Sequence, residues 1–291
     1  MAFIVTPEPR RAIILRRLRA SIADGTVFLL LLAVSVVMMA PFIWMLATSL
    51  RSPLQSFLLP PQWIPTDWQW DNYTAVFDQV PFFRFFLNSV LISGAVVIGQ
   101  LITSAMAAYA FARLRFPGKG MLFVVLMSSL MVPIQATVIP IFVLLGDLHL
   151  ADTLWAVILP GWSSAFGVFL LRQYFLTIPN DLEDAARLDG ASHWRIFVDV
   201  VLPLARPALA VLAILTFNQY WNEFFRPFIF LTSYQNFPLP VGLVTLQGYL
   251  GNGSVAVVLA GVTLSLLPVL ILYIFTQRYL IEGITLTGLK G

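Results

Sequence analysis

The chain contains no cysteine, which excludes disulfides and thiolate metal sites. Its two histidines, His149 and His193, are too few and too widely separated for a zinc site, so metal chemistry is not expected. Charge is scarce: Asp, Glu, Lys and Arg together make up 11% of the residues. No GxxxxGK[ST] loop is present. Pro117-Gly118-Lys119-Gly120 has the residue types without the spacing, and it sits in a short turn between apolar segments, not after a strand. ATP hydrolysis, if the function needs it, must come from another polypeptide, and no cofactor is expected in this chain. The carboxylates cluster in loops, so no catalytic constellation is expected either, and an intramembrane enzyme is disfavoured.

What the chain has in abundance is apolar sequence. Of 291 residues, 59% are hydrophobic, and the mean hydropathy is +0.87. That places it among all-α polytopic membrane proteins. Six apolar runs are long enough to span: Thr26–Leu50, Phe85–Ala112, Met121–Leu145, Thr153–Phe175, Leu204–Phe230 and Ser254–Thr276. The first run is about twice the length of a signal-peptide core and has no small-residue cleavage site after it, so it reads as a span. Residues 51–84 are rich in Pro and Trp and read as an external loop lying along the membrane interface.

The net charge of +3 and pI near 9.4 are a statement about topology, not nucleic acid. With six spans, every Lys and Arg except Arg51, Arg84 and Arg226 falls on one side, including Arg10, Arg11, Arg16, Arg17 and Arg19. The positive-inside rule then puts both termini and residues 179–207 in the cytoplasm. The spans are flanked by an N-terminal cytoplasmic stretch, 1–25, and a C-terminal cytoplasmic tail, 277–291.

The densest charge lies in Pro179–Pro207, PNDLEDAARLDGASHWRIFVDVVLPLARP. Such a segment cannot sit in hydrocarbon. Its pattern predicts two short helices: Asn180 and Glu183 form a capping box, Gly190 takes the left-handed position after the first helix, and Ser192 caps the second. Asp184-Ala185-Ala186, Gly190, Val200 and Leu202-Pro203 resemble the EAA loop of ABC importer permeases, with Asp184 and Val200 as conservative departures. AYAFARLRFPGKG at 108–120, MVPIQATVIP at 131–140, Asn88-Ser89, Trp221-Asn222 with Phe224, and the GITLTGLKG tail resemble the carbohydrate branch of that family.

The resemblance implies a helix-turn-helix coupling loop, here including Glu183, Asp184, Ala185, Ala186, Asp189, Gly190, Leu202 and Pro203, that docks on a separate ATPase. It further implies an inner-membrane heterodimer with a second permease. Two ATP-binding subunits carrying ATP and Mg, and an extracytoplasmic solute-binding protein, complete the assembly. The solute would be a sugar, a polyol or a glycerol-phosphate-type molecule.

Polar residues within spans are the candidates for the solute path, because hydrocarbon penalises them. Asn218, Trp221, Asn222 and Glu223 lie 15–20 residues beyond Pro203, about 22–30 Å along a helix, with Gln219 and Tyr220 among them. The bland reading pairs Glu223 with Arg226 and makes Trp221 a belt residue. Gln135 lies between Pro133 and Pro140, which are expected to kink the third span; it either faces a cavity or satisfies the carbonyls that proline frees. Gln100, Thr103 and Ser104 read as packing, and His149 as solvated. A self-contained secondary transporter and a membrane scaffold are the alternative classes. Neither has a use for an EAA-like loop, and no internal repeat is evident.

Overall fold

A computed structural model describes residues 10–52, 63–248 and 253–288, with side chains from 24 to 277 within those ranges. The first nine residues, Pro53, Pro60 and Pro61 of the external loop, and the last three residues of the tail lie outside them. The described residues are helical, without strands. In order they are α1 (Arg10–Ser49), α2 (Asp71–Gln79), α3 (Phe82–Arg113), α4 (Lys119–Ser128), α5 (Ile134–Asp147), α6 (Trp155–Gly161) and α7 (Ala165–Phe175). Then follow α8 (Asn180–Leu188), α9 (His193–Ile196), α10 (Leu202–Leu204), α11 (Arg206–Trp221), α12 (Phe225–Phe230), α13 (Leu239–Val244) and α14 (Val255–Gly288).

Four stretches are long and apolar enough to cross a membrane without a sharp bend: 24–49, 82–113, 155–175, which comprises α6 and α7, and 255–277. The other two expected spans are broken. Met121–Leu145 divides at Val132-Pro133, where both residues are extended and the axis turns by 103°. Proline disfavours helix in the residue before it and has no N–H to continue the ladder. Leu204–Phe230 is not one helix either: α11 stops at Trp221 and α12 starts at Phe225. Pro227 is tolerated only in a first turn, so a new helix has to begin shortly before it. The external loop contains a helix, α2, that its Pro and Trp content conceals, and α14 runs on through residues assigned to the tail.

α3 is the central helix, packed against α7 and α11. Its buried residues include many small or polar ones, Ser89, Ser93, Gly99, Gln100, Ser104, Ala105 and Ala108, beside the larger Phe85, Ile92 and Val96. Lipid tails are as apolar as leucine, so close approach and interhelical hydrogen bonds hold such helices together. Gly99 shows the approach, because a Cβ there would overlap the Trp162 ring. Gln100 Nε2 donates to Thr216 Oγ1 at 3.0 Å, joining α3 to α11, and Trp162 Nε1 donates to the Ala95 carbonyl at 3.1 Å. Gln100 and Ser104 are buried in this interface, and the exposed Thr103 donates its hydroxyl to the Trp162 carbonyl. α1 differs: between residues 24 and 49 its central window buries nothing in this chain.

Candidate functional site

The charged segment is built on α8. Pro179, extended at ψ 135°, precedes it, Asp181 and Glu183 occupy its first turn, and Arg187 its last, complementing the helix dipole at both ends. The capping box does not form. Pro179 occupies the cap position, Asn180 is already helical, and its Oδ1 accepts from Arg113 Nη1 at 2.8 Å. At the other end Gly190 has φ +80°, Gly190 N–H bonds the Arg187 carbonyl at 3.0 Å, and Ala191 N–H bonds that of Ala186 at 2.9 Å. This pair of bonds is a Schellman closure and needs the left-handed residue. Ser192 then caps α9, its Oγ accepting from Arg195 N–H at 3.3 Å.

α9 leads through a π turn, Phe197–Val201, into Leu202 and Pro203. The axis then bends by 76° into α11 at Ala205, between Pro203 and Pro207. Ile196, Phe197 and Val201 pack with Ala105, Ala108 and Tyr109 of α3 and with Leu171 and Phe175 of α7. The segment is therefore continuous with the membrane bundle through a shared core.

Its tightest link is ionic. Arg113, the last residue of α3, places Nε 2.6 Å from Glu183 Oε1, with the two side chains 7% and 2% exposed. The contact is electrostatic in character, since neither Glu183 oxygen accepts a well-directed hydrogen bond. Arg113 Nη2 donates to the Ile178 carbonyl at 2.6 Å, so one guanidinium holds the approach to α8, its first residue and its buried carboxylate. Asp184 instead pairs with Arg187 at 2.7 Å on the surface, where such a contact adds little. Ala185, Asp189 and Gly190 are exposed, Ala186, Leu202 and Pro203 partly buried.

The sequence reading passed over Arg113, whose signal was a lone cation closing a span opposite an acidic loop. It also passed over Leu188 and Trp194, 90% and 61% exposed beside Leu182. All three are apolar side chains left exposed on an otherwise polar segment.

The solute-path candidates divide. Asn218 and Asn222 lie exposed one turn apart, with Asn222 Nδ2 donating to the Asn218 carbonyl at 2.8 Å and to its Oδ1 at 3.2 Å. Trp221 is buried: it stacks on Phe217, meets Phe86 edge-on and donates Nε1–H to the Ser265 carbonyl at 3.1 Å. A cavity of about 250 Å³ between α11, α13 and α14 is lined by Trp221, Asn222, Leu243, Gln247 and Ser265.

The expected Glu223–Arg226 ion pair does not form. Glu223 Oε1 accepts the Arg226 backbone N–H at 3.2 Å, opening α12, while the guanidinium donates to Tyr220 Oη at 2.8 Å. The new helix start needs an acceptor for its N–H groups, and that captures the carboxylate. Gln135, the second residue of α5, is exposed and makes no side-chain hydrogen bond among the described residues, so it does not satisfy the carbonyls near Pro133.

At the end of the bundle away from Arg113, Asp152 adopts φ +57°. It accepts from Thr232 N–H at 2.9 Å, Ser233 N–H at 2.8 Å and the Ser233 hydroxyl, and Asn236 donates to its carbonyl. Burial pushes this carboxyl up, but the hydrogen bonds from Ser233, Thr232 and Asn236 outweigh it and hold its pKa at about 2. Asn88 and Ser89 of α3 pin the next part of the same loop, at Gln235, Phe237 and Leu239.

Comparison with known proteins places this architecture. Residues 100–284 match the family described as binding-protein-dependent transport system inner membrane component. The arabinooligosaccharides transport system permease protein AraQ of Halalkalibacterium halodurans is 40% identical over 222 residues, 76% of this chain and 79% of that one. The diacetylchitobiose uptake system permease protein NgcG of Streptomyces coelicolor is 31% identical, covering 86% and 83%. Among solved structures, a bacterial ABC transporter involved in the import of the acidic polysaccharide alginate matches with a TM-score of 0.79 and 27% identity, over 90% of this chain and 98% of its counterpart. The chain belongs to the binding-protein-dependent transport system inner membrane components, the permeases of ABC importers.

Proposed function

We propose that this permease imports an oligosaccharide or related polyol, driven by ATP hydrolysis on a separate subunit, with residues 179–207 as the element that receives the ATPase's movement. The observation that carries the reading is the build of that segment. It presents exposed apolar side chains, Leu182, Leu188 and Trp194, on a helix pair tied into α3 by the buried Arg113–Glu183 contact. A push on α8 thus reaches the central helix through a stiff link. The sugar assignment rests on what AraQ and NgcG are named for. The pathway is assigned to the exposed amides Asn218, Asn222 and Gln135, with Trp221 and Glu223 as supports behind them. A second related permease completes the channel, two ATPase copies with ATP and Mg sit on the cytoplasmic side with both termini, and a solute-binding protein delivers the solute to the opposite face. Lys119 opens α4 and its Nζ donates to the Leu114 carbonyl at 2.8 Å.

Gly190→Val tests the reading. A Cβ at Gly190 meets nothing within this chain, so its only internal cost is the left-handed backbone, about 1–2 kcal/mol. The variant should insert and assemble, yet lose most coupling between ATP hydrolysis and uptake when both are measured in the same reconstituted vesicles. Wild-type coupling would remove residues 179–207 as the transmission element.

A further inference from the structure

Where α3 and α7 end and α4 begins, a cavity of about 860 Å³ opens between the α3–α4 turn and α8. Four cations line it, Arg113, Arg115, Lys119 and Arg187, against two carboxylates, Glu183 and Asp184. Both carboxylates are engaged by Arg113 and Arg187. Arg115 is exposed and has no ion pair among the described residues, and Lys119 bonds only a carbonyl, at 2.8 Å. A further cation, Arg172, stands within electrostatic reach of Lys119, held by the Phe111 carbonyl and lying 4.4 Å over the Phe123 ring. The turn thus gathers positive charge that no ion pair among the described residues neutralises.

The surface that rises from these cations is apolar. Along α4, Met121, Leu122, Val124 and Val125 are all exposed. Gly118 caps that helix in the left-handed conformation with no side-chain acceptor, so the positive end of its dipole faces the same place as Lys119. Cations at the end of a span with a bare apolar helix face above them match one kind of molecule: an anion carrying acyl chains. We infer that Arg115, Lys119 and the start of α4 bind the phosphate of an anionic phospholipid, its acyl chains lying along α4. Charge complementarity and the continuity of the apolar face favour a lipid over free phosphate, which has no use for that face. Because the cavity also reaches α8, a lipid held there would rest against the segment proposed to move.

The test uses the purified transporter containing this chain. Bound lipid is counted by native mass spectrometry during titration with phosphatidylglycerol or phosphatidylcholine. The wild type should retain phosphatidylglycerol preferentially. Arg115→Gln with Lys119→Gln should weaken that retention about 30-fold, the expectation for two cations at an anionic surface. Arg115→Lys with Lys119→Arg should restore it, separating charge from folding. Equal retention of phosphatidylcholine, or unchanged phosphatidylglycerol binding in the Gln variant, would overturn the proposal. So would displacement of the lipid by inorganic phosphate at equal concentration, which would make the turn a free-anion site.

Discussion

At one end of the bundle a guanidinium from α3 is buried against a carboxylate from α8. At the other a single carboxylate, Asp152, collects N–H groups from a loop 80 residues away. Every ion pair among the described residues lies at the first end, within residues 113–199. Both fasteners hold a loop to a helical frame, but they fail differently. A buried ion pair depends on two side chains, and removing one strands the other charge where water cannot reach it. A carboxylate bonded to backbone N–H groups depends on one side chain, and what it leaves behind can turn to solvent. The end proposed to move is thus held by the stiffer, less forgiving link.

That contrast breaks most sharply at Arg113. Arg113→Ala leaves Glu183 buried with only the longer contact to Arg187, at 3.6 Å, at a cost of up to about 3–5 kcal/mol. The expected result is a protease-sensitive segment 179–207 and lost uptake, with Arg113→Met plus Glu183→Leu recovering most of the protease resistance. A single variant as resistant as wild type would show that the pair is not the fastener.

Asp152→Ala should cost about 1–3 kcal/mol, read as faster hydrogen exchange across residues 230–239 with ATPase coupling unchanged. The pH dependence has a definite sign. Because folding depresses the Asp152 pKa from 3.8 to about 2, its contribution is fully present above pH 4 and is lost as pH falls from about 4 to about 2. Protection of that loop that is flat from pH 7 to pH 2 would contradict the assignment.

The smallest effect is expected at Asn222→Ala, which removes hydrogen bonds worth about 0.5–1.5 kcal/mol. Half-saturation for solute should rise up to about tenfold while assembly holds. Unchanged kinetics would make Asn222 only a cap for α11.

The sequence announced features whose cause is local. Gly190 and Ser192 act within a few residues of themselves, and both adopt the expected conformations. Pro133 broke its helix by the same local rule, while the equally local sign at Pro227 was outweighed by the apolar run around it. Long-range partners were not legible. Asn180 and Glu183 have the spacing of a capping box, but Arg113, 70 residues before Glu183, offers both a stronger partner once the core brings α3 alongside α8. Trp221 looks like a stacking surface for sugar until Ser265 and Phe86, from two other helices, enclose it.

The bareness of α1 bears on how the protein is made. A stretch such as residues 27–46 of α1, whose exposed side chains are almost all apolar, can leave the insertion machinery on its own, because lipid is already an adequate neighbour. α3 cannot do so on equal terms. Its Asn88, Ser89, Ser93, Gln100 and Ser104 would face acyl chains until α7, α11 and the loop after α12 have been synthesised. More than a hundred residues separate Gln100 from its partner Thr216, so biogenesis must hold the central helix in company while that length of chain is translated.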